Sequence, residues 1–525
     1  NWSNSGTIAG SGGGNLSLTS VTTSTWTNSG SISMIGGGTL TIGGNWSNSG
    51  TISETSSTVN LGGSFSLAQL TGFGRSGGSV NLTGTLNNTG TTLALDATTG
   101  SWNLVGGTIN GGTVTMTGGA RLIATTSGGG LAGGVVLTGD PSQSKPLVLD
   151  MTSGNGANVT VSGGLTVNNG TIAMGNSVGG YAALMFAGAA STFGGTNAHV
   201  SFSNLSNSVY NVVQQNTAGG TLTIGPGVTI HGGSGSVGYN SNYGGPSNVT
   251  LVNQGAILAD SAGTISVNGV NWTNSGTIAA SGGGNLSLTS VTTSTWANSG
   301  SISITGGGSL ALGGNWSNSG TISETNSTAN LGGTFTLAQL GGFSRSGGSV
   351  NLVGTLNNTG TTLALDATTG SWNLVGGTIS GGSVTATGGA RLYATGSGGG
   401  LSGGVVLTGD VSLTQPIVLD MSVGNNANVT VSGGLTVNNG TIAMGNSTGG
   451  YAALMFAGAA STFDGTNAQV TFSNLSNSVY NVVQQNTAGG TLTIGPGVTI
   501  HGGSGSVGYN ANYGGPSNVT LVNQG

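Results

Sequence analysis

Apolar residues recur at every second position in short runs: Leu16/Leu18, Leu40/Ile42, Phe65/Leu67, Val80/Leu82, Leu93/Leu95, Trp102/Leu104, Val114/Met116 and Leu122/Ala124. Most runs are bounded by glycine or Asn-Gly. Alternation with period 2 between turn formers predicts short, half-buried β-strands. No stripe at i, i+3, i+4, i+7 runs far without glycine, which costs about 1 kcal/mol inside a helix. The chain is therefore expected to be all-β.

Two periods lie above that of the strand. Asn1-Trp2-Ser3-Asn4-Ser5-Gly6-Thr7-Ile8 returns as Asn271-Trp272-Thr273-Asn274-Ser275-Gly276-Thr277-Ile278, an offset of 270 residues. Aligned without a gap, 1–255 and 271–525 differ at 34 positions and agree at 221 of 255. Residues 256–270 occur once, so the expected organisation is one unit over 1–270 and a second, shortened, over 271–525. The chain opens and closes inside a repeat, which suggests a window cut from a longer one. Within each unit Asn-x-Gly-x-Ile/Thr recurs at Asn4, Asn28, Asn48 and Asn88, with related forms at Asn169 and Asn253. Steps of 24 and 20 suit one coil of two or three strands, and no linker separates the units. These features favour a β-solenoid over a sandwich or barrel. Coils of roughly 20–24 residues give about 11–13 coils per unit, or roughly 55–65 Å at the strand spacing, and a continuous rod of about 100–125 Å for the whole.

Composition narrows the function. Glycine accounts for 110 of 525 residues, and Lys and Arg for only 5. So few cations make no basic patch for phosphates, so no nucleic-acid partner is expected. With no cysteine, thiolate metal sites, disulfides and cysteine nucleophiles are excluded. The longest apolar stretch, 181–190, falls far short of the roughly 20 residues of a membrane helix, so no span is expected. The calcium nonapeptide, an EF-hand loop and a Gly-Lys-Ser/Thr phosphate loop are missing, and no metal or cofactor is expected.

Stacked coils bring residues of equal register together. Trp2, Trp26 and Trp46 stand 24 and 20 apart and are expected to stack; the alternative is that each fills its own coil. Asn4, Asn28 and Asn48 are expected to form an amide ladder. Glu54, Arg75 and Asp96 are spaced by 21 and 21, with Arg121 and Asp140 following at 25 and 19. The alternating signs predict opposite charges on neighbouring coils, which offsets the cost of burying either alone. The tyrosine series Tyr181, Tyr210, Tyr239 and its counterpart Tyr451, Tyr480, Tyr509 has a step of 29. Longer coils are expected there, with a loop over 232–246 projecting and Tyr239, Tyr243, Tyr509 and Tyr513 as surface-contact candidates.

Candidate chemistry is sparse. A glycosidase needs two carboxylates about 5–9.5 Å apart; Asp140 with Asp150, and Asp410 with Asp420, are the candidates. Their Thr-Gly-Asp and Leu-Asp-Met settings fit turn-capping Asp instead. His199 is Gln469 in the second copy, and His231 and His501 are lone residues in Thr-Ile-His-Gly-Gly, expected in solvent-facing turns. No Ser/His/Asp set stands out, so no catalytic residue is assigned. Thr113-Val114-Thr115-Met116-Thr117 has an ice-binding pattern but does not recur at coil spacing. Asn-x-Ser/Thr sequons at Asn1, Asn15, Asn45, Asn81, Asn87, Asn158, Asn204 and Asn248 suit glycosylation only in a host equipped for it.

Trp-x-Asn-x-Gly-x-Ile followed by Gly-Gly-x-Leu-x-Leu, over 1–18, 25–42, 45–67 and 222–265, resembles the strand repeats of large bacterial surface proteins. These are the filamentous haemagglutinin-like adhesins and autotransporter passenger domains. The resemblance implies a right-handed parallel β-helix, secretion, and adhesion or surface structure. The uncommonly long unit and low charge point within that group to a self-associating fibre or stalk segment, extracellular or on the cell surface, without catalysis. Its partner is then another copy, end to end or side by side, because low charge promotes association. The alternatives are an adhesin for surface glycans and a β-helical carbohydrate-active enzyme.

Overall fold

The computed structural model describes residues 1–203, 210–291, 293–473 and 480–525. The chain is a parallel β-solenoid of about 21 turns, with very little helix. It divides into two compact units, Asn1–Val291 with Ser299–Ser301, and Thr292–Asn298 with Ile302–Gly525. That division falls after the sequence boundary at 270/271.

A coil has three strands, one per side. The second coil, for example, runs Thr25–Asn28, Ser31–Ile35 and Thr39–Ile42. Each strand pairs in parallel with its counterpart one coil on, in register: Trp2↔Trp26↔Trp46, Ile8↔Ile32↔Ile52 and Leu16↔Leu40↔Val59. Alternation puts Trp26, Ile32, Met34, Leu40 and Ile42 inside with no exposed surface. The core is thus a narrow prism filled by one or two apolar side chains per strand. Backbone bonding runs along the solenoid, so stability accumulates between neighbouring coils.

The corners explain the Asn-Ser-Gly motif. The Asn28 carbonyl accepts the N–H groups of Ser49 and Gly50 from the next coil, at 2.8 and 3.2 Å. A Cβ on Gly50 would lie 2.1 Å from the Gly30 carbonyl oxygen, so the stacked corner admits only glycine. One expected strand is shorter than the alternation suggested. Phe65 belongs to Ser64–Ser66, but Leu67 opens a 3-10 turn, Leu67–Leu70. The Gln69 side chain there accepts the Ser66 N–H at 2.9 Å and donates to the Trp46 carbonyl, outcompeting the strand.

Further on, two long strands, Leu165–Met174 and Ala190–Phe202, turn a corner without a break and serve two sides each. Leu165–Asn168 pairs with Val135–Thr138, and the remainder with Leu147–Met151. The corner residues Asn169 and Asn197 have positive φ, 48° and 52°, as has Gly195 just before the second, at 136°. A Cβ on Gly195 would meet the Val167 carbonyl oxygen at 1.8 Å, whereas one on Gly194 would find only Thr192 Cγ2, at 3.8 Å. The second copy agrees: position 194 becomes Asp464 while 195 remains Gly465. Gly195→Ala is expected to lower stability by roughly 1–3 kcal/mol, and Gly194→Ala to stay within about 0.5 kcal/mol, as read from urea midpoints of the full chain.

Candidate functional site: side-chain ladders and the tyrosine corner

The strand register brings the spaced tryptophans together. Trp2 and Trp26 lie 4.7 Å apart and 2° from parallel, and Trp26 and Trp46 lie 6.0 Å apart at 20°. Phe65 extends the stack, 5.3 Å from Trp46; sequence reasoning missed it because it sought tryptophan alone. Each indole donates within its own coil, Trp26 Nε1 to the Gly43 carbonyl and Trp46 Nε1 to Gly62, both at 3.0 Å. In the second unit Trp296, Trp316 and Phe335 repeat the stack at 6.1 and 5.2 Å.

Beside it runs the amide ladder. Asn4 Nδ2 donates to Asn28 Oδ1, and Asn28 Nδ2 to Asn48 Oδ1, each at 2.7 Å. Asn48 Nδ2 ends the series on the Gln69 carbonyl at 3.0 Å, so the 3-10 turn caps the ladder. A second ladder was not anticipated: Asn103 donates to Asn81 and Asn81 to Asn60, both at 2.8 Å. Its signal was present as Val-Asn-Leu, Val-Asn-Leu and Trp-Asn-Leu at steps of 21 and 22. Asn351 and Asn373 continue the same pattern from Asn330 in the second unit.

The charges follow the expected spacing only in part. Glu54 and Arg75 are register partners on adjacent strands. Glu54 is 1% exposed and accepts the Ser57 N–H at 2.5 Å. Their counterparts Arg345 and Glu324 approach to 3.8 Å. Asp96 does not join them. It lies just beyond strand Thr92–Leu95, where Oδ1 accepts the N–H groups of Thr98 and Thr99 at 2.8 and 2.9 Å. The Arg75 guanidinium instead lies over Gly100. Arg121 likewise pairs with Asp150, at 3.0 Å, and not with Asp140; Arg391 and Asp420 repeat this at 3.3 Å. Asp140 caps its own turn, accepting from the Ser142 hydroxyl and N–H at 2.6 and 2.9 Å.

The tyrosine region departs most from expectation. Tyr181 and Tyr210 pack at 5.2 Å, but the third ring is Tyr243, edge-on to Tyr181 at 5.9 Å, and not Tyr239. The loop was expected to project. Its first half is instead taken up by the end of strand Val228–Gly232 and by strand Gly235–Gly238, and its 3-10 turn Ser241–Tyr243 folds back onto Tyr181. Tyr513 does the same against Tyr451, and its hydroxyl donates to Asn426. Burial and the neighbouring Tyr181 raise the Tyr243 pKa; burial and Tyr451 push Tyr513 up to about 12. Tyr239 is half-buried, and Tyr509 is exposed.

The candidate catalytic groups are all committed to structural partners. Asp150 is nearly buried, held by Arg121 and by the Thr152 hydroxyl at 2.6 Å; Asp410 and Asp420 take the matching serines Ser412 and Ser422. His231 stands on a strand, not in a turn, with Nδ1 3.2 Å from Asp260. His199 is buried, and burial, then Lys145 and His231, lower its pKa. Lys145 and His199 both become glutamine in the second copy, Gln415 and Gln469, so two of the few charge-altering changes fall at one place. On the surface, Thr115 is flanked in register by Ala94 and Thr138, and Thr113 by Thr92 and Val136, so no threonine array forms. No group of three metal-ligating side chains occurs among the described residues, and no helix there is long and apolar enough to cross a membrane. The sequon at Asn204 lies outside the described residues.

Two shallow polar grooves match between copies. One of about 380 Å³ is lined by Thr108, Ser127, Asn158, Thr160 and Ser162; the other, of the same volume, by their counterparts Thr378, Ser397, Asn428, Thr430 and Ser432. In each, a glycine, Gly130 or Gly400, is the register partner of the lining threonines, Thr108 and Thr160 or Thr378 and Thr430. A further cavity, of about 590 Å³, is lined by Phe472, Ile494, Val498 and Leu521.

No family model matches the chain, and neither a curated protein nor a solved structure matches it.

Two predictions follow from these ladders and charges. Asn28→Ala removes the ladder bond from Asn4 Nδ2 and the one to Asn48 Oδ1, in the middle of the ladder, and is expected to cost roughly 1–3 kcal/mol in denaturant unfolding. Asn87→Ala, at an exposed pair 3.5 Å long, is expected to cost far less. Desolvation raises the Glu324 carboxyl above its ordinary value, against weaker lowering by the Ser327 N–H and Arg345. The folded chain therefore holds that proton to higher pH than the unfolded one, and stability falls as pH rises through the raised value. The aspartates act oppositely. Hydrogen bonds from Thr99 and Thr98 lower Asp96, so its contribution is lost as pH drops below the ordinary carboxylate value. Thermal melts across pH are expected to show both limbs, and Glu324→Gln to remove the upper one alone.

Proposed function

We propose that this chain is a structural segment of an extracellular fibre or cell-surface stalk, self-associating and without catalytic activity. The observation that carries the reading is the stacking of like on like. Indole lies on indole and amide on amide from coil to coil, in a sequence repeated at 221 of 255 positions. Such an arrangement serves length and rigidity, since each coil is held by its neighbours. Only 15 charged residues in 525 leave little repulsion between copies. The carboxylates that could have served glycoside cleavage are tied to turns or arginines. A carbohydrate-active role therefore has less support.

A second reading, adhesion to surface glycans, draws on the twin grooves, whose hydroxyl and amide linings are suited to sugar hydroxyls. The tyrosines support it less, because Tyr243 and Tyr513 are turned onto Tyr181 and Tyr451.

Electron cryo-microscopy of native material, with sedimentation of the purified chain, tests the proposal. The expected result is filaments with an axial rise of roughly 55 Å per sequence unit, from coils spaced about 4.8 Å, and association little affected by salt. Isolated, non-associating rods that bind a glycan array through the Thr108 groove would favour adhesion. Release of sugar from a polysaccharide, lost in Asp150→Asn with the fold intact, would overturn the non-catalytic reading.

A further inference from the structure

The sequence unit is not a whole number of coils. Within the first compact unit the strands of the first copy fall on three sides. The first side starts at Trp2–Asn4 and ends at Gly263–Asn268, with twelve strands. The second runs from Thr7–Ser11 to Thr250–Asn253 and the third from Leu16–Leu18 to Ala256–Ala259, with eleven each, the two long strands counting once on both. The repeat is therefore eleven coils and one further side.

The opening of the second copy, which belongs to the same compact unit, enters one side late. Thr273–Asn274, the counterpart of 3–4, pairs with Val252 and Asn253 on the second side. Thr277–Ala280, the counterpart of 7–10, pairs with Ala256–Ala259 on the third. Gly284–Leu288, the counterpart of 14–18, pairs with residues 263–267 on the first. The shift is the same for all three strands. The three sides accept it because each offers the same environment, alternating apolar residues facing a narrow core.

We propose that, in a tandem array of this unit, each repeat displays its surface on the side next to that used by the repeat before it, so that three repeats carry one surface around all three sides. A whole-number repeat would line every groove and tyrosine corner along one face and suit flat ribbons. The extra side gives a screw in steps of one third of a turn, so whatever contact a repeat makes is offered in three directions, as in a bundle. The inference rests on strand register and does not require that the chain self-associate.

The absence of cysteine allows a direct test. Leu258 and Ala279 are register partners with outward-facing side chains. Adjacent strands lie about 4.8 Å apart, within the roughly 4.4–6.8 Å that a disulfide spans between Cα atoms. In the full chain, Leu258→Cys with Ala279→Cys is expected to cross-link internally on mild oxidation. Val252→Cys with Ala279→Cys, neighbours only if the repeat were a whole number of coils, is expected to stay reduced. The reverse result, or linkage of neither pair, overturns the register. This readout is indifferent to assembly, so failure of the fibre reading would leave it unchanged.

Discussion

Everything in this protein depends on in-register parallel pairing between a strand and the strand one coil later. That pairing satisfies the backbone polar groups that a core so thin could not otherwise leave dry. It also places each side chain on its counterpart. A residue type that gains from meeting itself is thereby rewarded at every coil. Indoles stack, amides donate in series, and apolar side chains fill one column of the prism. Glycine is the other half of the constraint, since corners stacked as closely as Gly30 and Gly50 leave no room for a Cβ.

Charge is admitted under the same rule only where a neighbouring coil can answer it. Glu324 meets Arg345, and Asp150 meets Arg121, both across one coil. Other aspartates sit where local N–H and hydroxyl groups hold them, as at Asp96 and Asp140. The scarcity of charge is thus a consequence of the architecture as well as a feature of its surface. A stack of identical positions would place like charges one strand spacing apart.

The departures occur where coil length changes. Over the first four coils the motif spacing is close to the coil length, and linear spacing maps onto spatial contact. Later the corners carry loops, the 139–146 segment among them, and a step of 19 or 25 residues no longer means one coil. Arg121 therefore reaches Asp150, 29 residues on. Tyr239 keeps the 29-residue series yet misses the ring cluster, because the 3-10 turn at Ser241–Tyr243 brings Tyr243 back onto Tyr181.

The sequence by itself determined the all-β class and the coil, and it set tryptophans and asparagines at coil spacing, because period-2 alternation and a recurring Asn-Ser-Gly corner are local signals; that the indoles stack was one of two readings until the strand register placed them on each other. The Asn60, Asn81 and Asn103 ladder was equally local and was legible in Val-Asn-Leu and Trp-Asn-Leu. Only the tertiary structure decided which charges meet, that the tyrosine loop folds inward, and that the repeat ends one side beyond a whole coil. These depend on how many sides each segment occupies. A strand such as Leu165–Met174, which turns a corner at Asn169 without a break, hides that number from any count along the chain.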